Sequence, residues 1–496
     1  MIKNHDELHE ECGVVAIWGD DNAAQLTYYG LHSLQHRGQE AAGIVVRNKS
    51  RKLNIHKGEG LVSEVFNKEK IEKLSGNAAI GHVRYSTAGG GGIMNVQPFL
   101  FRTLDGMMGI AHNGNIVNAN LLKKELEENG SIFNSTSDTE VLDHLIKRET
   151  GRFVDRICKS LEKIDGAFAF VILVEDALYV ARDRYGLRPL SMGRLPSGGY
   201  MFSSETCALD IAGAEYVRDV EPGEIIRVKD GIIKSKKYTE ALPICNKLCA
   251  MEYIYFSRPD SNLDGINVHT ARKTCGKTLF EEAPVEADLV IGVPDSSISA
   301  AIGYSEASGI PYEMGLIKNK YVGRTFIQPT QEMRERGVRM KLSAVSSIVK
   351  GKRVIMIDDS IVRGTTSKRI VKLLKEAGAT EVHVRIASPA IKFPCFYGVD
   401  ISTLEELISH RMNVEELCQF IEADSLAFIS MEGLKKSVKH DMDETVIYVC
   451  LALVVIMSLS YMILSIVQIK TKNSTIKLPS LGVSFLYILL RIIYIM

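Results

Sequence analysis

The sequence predicts an α+β domain followed by an α/β domain that is built on a parallel sheet. Up to about residue 240, short apolar or β-branched runs recur between glycine-marked turns, and helical spacing is confined to a few stretches. From about 270 to 430, apolar runs alternate with helical stretches, as in a doubly wound sheet. The last fifty or so residues differ from both parts and are strongly apolar. A length of 496 residues suits two or three domains.

The individual elements follow from the spacing of the apolar residues. In the first domain it predicts the strands Val14–Trp18, Ala79–Val83, Phe168–Leu173 and Ala177–Ala181, and the helices Ala23–Leu34 and Thr139–Lys147. In the second it predicts the strands Ala287–Val293, Arg353–Ile357 and Glu381–Ala387, and the helix Thr366–Ala377. Parallel α/β sheets bind ligands at the loops that follow their strands, so a site is expected there.

Composition and charge narrow the class of protein. Hydrophobic residues make up 46% and charged residues 24%, as in a globular chain with a large core. The net charge is zero, so no basic field argues for nucleic acid as a partner. The first eleven residues are polar and acidic, unlike a secretory signal, and the cysteine count of nine is odd. These features favour a reducing cytoplasm with catalytic, metal-bound or buried thiols.

Cys12 stands at the start of the first apolar strand, in Glu11-Cys12-Gly13-Val14-Val15. A lone cysteine in this position is on base rates a buried thiol. Its chemistry changes if the preceding peptide bond is cut, because the new α-amine has a pKa near neutrality and can act as general base for the thiol. The context of Cys12 therefore decides between a packing residue and a nucleophile.

Five ordered blocks supply that context, namely Cys12–Val14, Gly30–Glu40, Gly81–Thr87, His112–Asn115 and Ser137–Glu140. Any one of them alone is weak, since such short strings commonly form turns, helix caps or charged surface. Together they resemble the class II, N-terminal-nucleophile glutamine amidotransferases. The resemblance implies a four-layer αββα glutaminase domain over residues 12–245, with residues 1–11 as a propeptide.

The resemblance also implies a role for each residue of the glutaminase site. Cys12 attacks the glutamine amide, and the side chain of Asn113 and the backbone N–H of Gly114 form the oxyanion hole. Arg84 binds the α-carboxylate of glutamine, for which a fork-shaped cation is suited. Asp138 binds the α-ammonium group.

A second constellation follows the predicted strand Arg353–Ile357. Asp358-Asp359 comes directly after the strand, and a loop with glycine and hydroxyl residues leads from there into a helix. Backbone N–H groups, hydroxyls and a helix N-terminus suit a 5′-phosphate, whereas paired acids suit ribose hydroxyls and Mg²⁺. A capped helix after a strand is the plain alternative, and the combination of Asp-Asp with Gly-Thr-Thr argues against it.

This loop resembles the phosphoribosyl pyrophosphate (PRPP) motif of type I phosphoribosyltransferases. Val293–Ser297 and Lys318–Gln328 likewise resemble the pyrophosphate loop and the flexible flap of that family. The resemblance implies an α/β domain over residues 246–440, with Mg²⁺ at Ser296, Asp358 and Asp359. The implied PRPP-binding residues are Asp358, Asp359, Ser360, Arg363, Gly364, Thr365, Thr366 and Arg324.

The two halves together resemble the amidophosphoribosyltransferase family over residues 1 to about 434. That family makes 5-phosphoribosylamine, glutamate and pyrophosphate from PRPP, glutamine and water, in the first step of de novo purine (IMP) synthesis. The resemblance implies a pentosyltransferase in which ammonia passes internally to C1 of PRPP, along Tyr253–Ser261. It also implies purine nucleotides as feedback inhibitors, a homotetramer and a cytoplasmic location.

Three other functions compete with this one. Another class II amidotransferase, a glucosamine-6-phosphate synthase or an asparagine synthetase, would carry sugar-isomerase domains or an ATP-pyrophosphatase loop in place of the PRPP motif. A non-catalytic PRPP-binding regulator would have no reason to keep Cys12, Arg84, Asn113 and Asp138 together. An inactive remnant with a damaged C-terminus stays open.

Three cysteines raise the question of an iron–sulfur cluster. Cys249 and Cys395 stand where one branch of the family has the first two of four [4Fe–4S] ligands. Cys450 lies near the third, but Leu453 stands where a C-x-x-C pair would have the fourth. The sequence therefore predicts either an incomplete cluster or inert packing thiols.

Residues 441–496 depart from the family pattern. Val446–Val467 carries no charge over 22 residues, and Leu478–Met496 is apolar apart from Arg491 and a few small polar residues. By hydropathy the first segment is long enough to span a bilayer. A two-span membrane hairpin and a frameshifted reading frame are the alternatives. The frameshift is favoured because the change begins where the expected C-x-x-C breaks off.

Overall fold

The computed structural model describes residues 12–85, 92–319, 342–395, 397–399 and 404–438. Its strands, numbered in chain order, are β1 Gly13–Trp18, β2 Ala41–Arg47, β3 Leu53–Glu59, β4 Ala78–Arg84, β5 Phe99–Thr103, β6 Gly106–Ile116, β7 Gly166–Val174, β8 Leu178–Arg182, β9 Ser191–Arg194, β10 Tyr200–Ser203, β11 Glu215–Asp219, β12 Glu224–Lys229, β13 Ile232–Lys237, β14 Asn262–Leu263, β15 Ile266–Asn267, β16 Leu289–Gly292, β17 Leu316–Lys318, β18 Leu342–Ala344, β19 Arg353–Asp358, β20 Glu381–Ile386 and β21 Ser425–Phe428.

The α-helices of the described residues are α1 Ala23–Ser33, α2 Val62–Val65, α3 Lys68–Lys73, α4 Ala119–Glu128, α5 Thr139–Arg148, α6 Phe153–Lys163, α7 Thr206–Ile211, α8 Val268–Glu282, α9 Ile298–Ser308, α10 Ser346–Val349, α11 Thr365–Glu376, α12 Ile408–Arg411, α13 Val414–Phe420 and α14 Met431–Val438. Short 3₁₀ turns cover Ile93–Asn95 and Leu404–Glu406, and a π-helical turn covers Glu252–Phe256. Within this described part of the chain, no helix is both long and apolar enough to cross a membrane. The apolar segments after residue 440 lie outside the described residues.

Two antiparallel sheets form the N-terminal half, residues 12–245. The strand order is β11-β9-β10-β1-β4-β2-β3 in the first sheet and β13-β12-β8-β7-β6-β5 in the second. The alternation along β1 shows how they pack, since Val14, Ala16 and Trp18 face the core between the sheets while Val15 and Ile17 face α1. Helices α5 and α6 cover the outer face of the second sheet. The layers therefore run helix, sheet, sheet, helix, as the resemblance to N-terminal-nucleophile amidotransferases implies.

A parallel four-stranded sheet, in the order β16-β19-β20-β21, forms the centre of the C-terminal half, residues 246–438. Along β19, Val354 and Met356 pack toward α11, whereas Ile355 and Ile357 pack toward α8 and α9. Both faces are thus buried, which explains the nearly continuous apolar strands. Because β16 and β19 are adjacent and parallel, the loops that follow them meet at one edge of the sheet.

Candidate active site

Cys12 is half-buried at the beginning of β1. Its thiol lies 3.5 Å from the backbone carbonyl of Tyr85, directly after β4, and its own carbonyl accepts a hydrogen bond from Arg37 Nε at 3.1 Å. Burial raises the pKa of the Cys12 thiol to about 11. The neighbouring Arg84 opposes that rise in pKa, whereas Asp138 and Glu40 add to it. One cation and two carboxylates therefore act on the sulfur.

Arg84 and Asp138 reach this place from different layers. Arg84 is the last residue of β4 and is almost fully buried. A Cβ on Gly38 would lie 2.6 Å from the Arg84 carbonyl carbon, so only glycine lets that loop pass so close to Arg84. Asp138 directly precedes α5, and its Oδ2 accepts a hydrogen bond from the backbone N–H of Ile116 at 2.8 Å. Its side chain therefore binds β6 and does not cap its own helix.

Asn113 and Gly114 lie on β6, in the second sheet, and Asn113 is fully buried. Asn113 Nδ2 lies 3.4 Å from Ser204 Oγ, which also accepts a hydrogen bond from the backbone N–H of Val14 at 3.0 Å. Ser204 thereby joins the Asn113 amide to β1, two residues beyond Cys12. The Asn113 Oδ1 atom is buried without a hydrogen-bond partner among the described residues. A buried polar atom of this kind is characteristic of a functional site.

A buried ion network lies behind Cys12, and the sequence did not reveal it. Arg37 Nη1 lies 2.7 Å from Glu205 Oε1, and Arg37 Nη2 lies 2.8 Å from Glu252 Oε1, with all three side chains fully buried. Arg188 Nη1 donates to Glu252 Oε1 at 3.3 Å, and Arg188 Nη2 to the carbonyl of Tyr397 at 2.6 Å. Its members are far apart in sequence, so no local pattern could have indicated it.

The second predicted site lies where the loops after β16 and β19 meet. Ser297 Oγ donates to Asp358 Oδ1 at 3.1 Å, and Ser296 Oγ hydrogen-bonds to Asp359 Oδ2. Ser360 Oγ binds the other oxygen of Asp359 at 2.5 Å. Both aspartates are largely buried, at 8% exposure. The structure thus brings Ser296, Asp358 and Asp359 together, as the sequence predicts.

The residues that lead into α11 follow directly. Gly364 has a φ of +75°, and a Cβ there would lie 2.9 Å from Ile408 Cδ1, so this turn requires glycine. The Thr365 hydroxyl oxygen is buried and has no hydrogen-bond partner in the part of the chain that the structure describes. Thr366 follows it in the first turn of α11. Arg363 instead forms an ion pair with Glu406, Nη2 to Oε1, at 2.9 Å.

Cys249 and Cys395 lie close enough for Cys249 to contribute to the raised pKa of the Cys395 thiol, whose main cause is burial. Cys249 is buried and Cys395 half-buried. Among the described residues, no group of three or more His, Cys, Asp or Glu side chains is arranged to hold a metal ion. Cys450 and the flap residue Arg324 fall outside the described residues.

Comparison with known proteins decides the family. Residues 89–210 match a glutamine amidotransferase domain, and residues 270–389 match a phosphoribosyl transferase domain. The amidophosphoribosyltransferase of Bacillus subtilis (strain 168) is 60% identical over 455 residues, which is 91% of this chain and 94% of that protein. The chain belongs to the amidophosphoribosyltransferase family. The Staphylococcus aureus (strain Mu50) member is 55% identical over 442 residues, 89% of each chain.

Solved structures of amidophosphoribosyltransferases agree with this assignment. The B. subtilis glutamine PRPP amidotransferase in complex with ADP and GMP is 60% identical and superposes with a TM-score of 0.83, over 87% of this chain and 94% of that one. A structure of an allosteric regulatory enzyme of purine biosynthesis gives 60% identity and a TM-score of 0.84, over 88% and 93% of the two chains. The chain is therefore a glutamine-dependent pentosyltransferase of the first step of purine biosynthesis, with a glutaminase domain and a phosphoribosyltransferase domain.

Proposed function

We propose that this chain hydrolyses glutamine at Cys12 and transfers the ammonia to C1 of PRPP at the loops after β16 and β19. The observation that carries the glutaminase assignment is that the Cys12 thiol contacts the Tyr85 carbonyl, next to Arg84, while Asp138 binds β6 two residues beyond Gly114. Glutamine carries an α-carboxylate and an α-ammonium group, so a cation and a carboxylate beside the sulfur complement it. A packing cysteine would have no need of either.

Amide hydrolysis places a negative charge on the former carbonyl oxygen in the transition state. The Asn113 amide and the Gly114 N–H are the proposed donors to that oxygen, and Ser204 holds the Asn113 amide near β1. Sulfur attacks the amide carbon, the C–N bond breaks and ammonia leaves, and water then hydrolyses the thioester to glutamate. The α-amine of Cys12 takes the thiol proton once residues 1–11 are removed, because its pKa lies near neutrality, and gives that proton to the leaving nitrogen.

The donor set at the second site fits Mg²⁺ and PRPP. Two buried carboxylates and the Ser296 hydroxyl are oxygen ligands, which this ion prefers, and its remaining positions suit phosphate oxygens. Asp358, Asp359 and Ser296 would hold the ion, which supplies charge neutralisation to the pyrophosphate when bound. Ser360, Gly364, Thr365 and Thr366 surround the 5′-phosphate, and the unpartnered Thr365 hydroxyl supports that assignment. Arg363 and Arg324 are proposed from the motif alone.

The path for ammonia is proposed along the π-helical turn Glu252–Phe256. Tyr253 and Ile254 of that turn line a small cavity whose other walls include Ser296 and Asp359 of the PRPP site. The turn is also bound to Arg37, which holds the Cys12 carbonyl. One segment therefore lies between the two proposed sites.

Other predictions stay proposals. The B. subtilis relative is described with ADP and GMP, which supports purine nucleotides as inhibitors of this chain. A homotetramer and a cytoplasmic location rest on the family alone. For a [4Fe–4S] cluster the donor set does not fit, since the sequence offers three candidate cysteines with Leu453 in place of the fourth. Iron analysis of purified protein tests this point.

The Cys12→Ala variant tests the proposed function. It is expected to lose glutamine-dependent synthesis of phosphoribosylamine, because no other thiol replaces the nucleophile, and to keep ammonia-dependent synthesis, because the PRPP site is intact. Intact mass determines whether residues 1–11 have been removed from the parent protein. Retention of glutamine-dependent turnover in Cys12→Ala, or loss of both activities in a folded variant, would contradict the two-site scheme.

A further inference from the structure

We propose that Glu252 is a positioning residue for the Cys12 nucleophile, although it lies in the C-terminal half of the chain. The inference rests on the proposed function, because it assumes that Cys12 carries out the glutaminase reaction. Glu252 is fully buried and belongs to the π-helical turn that follows the last strand of the glutaminase sheets. It reaches Cys12 through one intermediate, the guanidinium group of Arg37.

Arg37 uses its whole guanidinium group in this arrangement. Nε donates to the Cys12 carbonyl at 3.1 Å, and Nη1 and Nη2 donate to the two carboxylate oxygens of Glu252 at 2.9 and 2.8 Å. The pair is thus bidentate, which fixes the plane of the guanidinium group as well as its position. Because Nε lies in the same plane, Glu252, together with Glu205 at Nη1, sets the direction of its hydrogen bond to Cys12.

The charges of the buried ion network balance only when Glu252 is present. Arg37 and Arg188 face Glu205 and Glu252, all four at 0–1% side-chain exposure. Burial alone would lower the pKa of Arg37, but Glu252 and Glu205 more than offset this and raise it. Glu205 is held in addition by His36, by the Ser261 hydroxyl and by the backbone N–H of Arg258. Glu252 is therefore the carboxylate partner of Arg37 that the C-terminal half contributes.

A nucleophilic residue at a chain terminus depends more than an internal residue does on an anchor such as the hydrogen bond from Arg37 Nε to the Cys12 carbonyl. After removal of residues 1–11, no peptide bond would restrain the N-terminal side of Cys12. The described contacts of the residue are its thiol near the Tyr85 carbonyl and its carbonyl on Arg37. The carbonyl anchor then holds the peptide plane between residues 12 and 13, and so the position of the Cys12 Cα that carries the amine and the thiol. Displacement of a reacting group by about 1 Å can cost about 100-fold in rate.

The position of Glu252 is itself determined by the C-terminal half. Arg272, on α8, donates to the carbonyls of Tyr253, within the turn, and of Ser257, directly after it, at 2.6 and 2.8 Å. Ser257 Oγ donates to Glu252 Oε2 at 2.8 Å. Arg272 also lines the cavity beside Asp359 of the PRPP site. Alignment of Cys12 therefore requires the C-terminal half to be folded and docked.

The test compares Glu252→Gln with the parent enzyme in three assays, namely glutamine hydrolysis, glutamine-dependent synthesis and ammonia-dependent synthesis. Glu252→Gln is expected to lower kcat for glutamine hydrolysis about tenfold or more, with KM for glutamine changed less than about twofold, since substrate contacts stay in place. Ammonia-dependent synthesis is expected to stay within about twofold of the parent. A role in stability alone would lower the thermal midpoint without this split between kcat and KM.

Two further variants distinguish a positioning role of Glu252 from a general loss of folding or stability. Glu252→Asp retains the charge balance but shortens the side chain, so it is expected to fold even where Glu252→Gln does not, with an intermediate kcat. Glu224→Gln is the matched control, because Glu224 is also buried and forms a bidentate pair with Arg218, at 2.7 and 2.8 Å, but neither residue has a described side-chain hydrogen bond to Arg37, Arg188 or Glu252. It is expected to lower the thermal midpoint and leave the kcat of glutamine hydrolysis unchanged.

The inference is overturned if both Glu252 variants keep the parent kcat, or if glutamine and ammonia activities fall in parallel in folded protein. A fall in kcat with Glu224→Gln equal to that with Glu252→Gln overturns it as well. Assays of Cys12→Ala alongside distinguish failure of the positioning role of Glu252 from failure of the proposed function. If Cys12→Ala still turns over glutamine, the proposed function fails; if it is inactive while Glu252→Gln is fully active, only the positioning role fails.

Discussion

The carbonyl oxygen of Ala167 lies 2.0 Å from the place that a Cβ on Gly114 would occupy. Gly114 also has a φ of +140°, which L side chains rarely adopt. It pairs with Phe168 on β7, so the close approach belongs to the ladder between β6 and β7. The sheet itself therefore requires glycine at the proposed oxyanion position.

Gly114→Ala is expected to abolish glutamine hydrolysis, because relief of the clash must move the backbone of β6 and its N–H group. Gly130→Ala is the matched control, since Gly130 also has a positive φ, of +84°, but no atom within 4 Å of the added Cβ. Glutaminase assays and thermal melts of both variants check this. Equal effects of the two substitutions would mean that backbone strain, and not the contact with Ala167, sets the requirement.

Alkylation of Cys12 in the unprocessed chain is expected to be slow at neutral pH, and its rate is expected to rise as the pH approaches about 11. Burial raises the thiol pKa to that value, and only the thiolate reacts. Mass spectrometry of the tryptic peptide 4–37 after iodoacetamide treatment at a series of pH values measures this. Arg84→Gln is expected to slow the reaction further, because Arg84 lowers the pKa of the thiol. A reaction rate that levels off near pH 8 would contradict the raised pKa.

Asp358→Asn combined with Asp359→Asn is expected to raise KM for PRPP about tenfold or more, the equivalent of about 1.4 kcal/mol of binding. The change should be the same with glutamine and with ammonia, since both nitrogen donors use one PRPP site. Asp288→Asn is the control, because Asp288 pairs with Arg353 at the opposite end of the same strands. Unchanged PRPP kinetics in the double variant would remove these acids from the site.

Glu140 is expected to make the N-terminal half sensitive to acid. Burial alone would raise its pKa, but the nearby His144, whose Nε2 lies 3.7 Å from Glu140 Oε1, and hydrogen bonds from Ser135 and the backbone N–H of Asn134 outweigh this and lower the pKa from 4.5 to about 2. Because the folded pKa is the lower one, its stabilisation is present above about pH 4.5 and is lost as the pH falls toward 2. This corresponds to on the order of 3 kcal/mol of unfolding free energy.

Thermal midpoints measured from pH 5 to about pH 2.5 check the acid prediction. In Glu140→Gln the loss of stability over this range is expected to be smaller, since the titrating group is gone. The same slope in the parent and the variant would show that other carboxylates dominate.

Much of the fold could be predicted because each element has its own local signal. The apolar run Val14–Trp18 predicts a strand, and the structure has that strand as Gly13–Trp18. The apolar run before Asp358 predicts β19 to within one residue. Loops after adjacent parallel strands must meet, so the meeting of Ser296 with Asp359 follows from topology.

The buried ion network could not be predicted from the sequence. Arg37 and Glu252 are 215 residues apart, and an isolated Glu252 has the appearance of an ordinary helical surface residue. The partner of Arg363 was missed for a related reason, since Glu406 lies in a short 3₁₀ turn without a sequence signal. Such contacts depend on how separate segments pack, and apolar periodicity carries no information on pairs of buried charges.

The link from Arg37 to Glu252 has a consequence for how this gene can be divided. A chimera that joined residues 12–245 to the second half of a distant relative would take residue 252, the proposed positioning carboxylate for Cys12, from that relative, even with every residue of the proposed glutaminase pocket intact. Ser257 and Ser261, which bind Glu252 and Glu205, would be exchanged with it. A recombination point that keeps these contacts therefore lies beyond Ser261. The segment that must be transferred together with the glutaminase domain extends past the last strand of its own sheets.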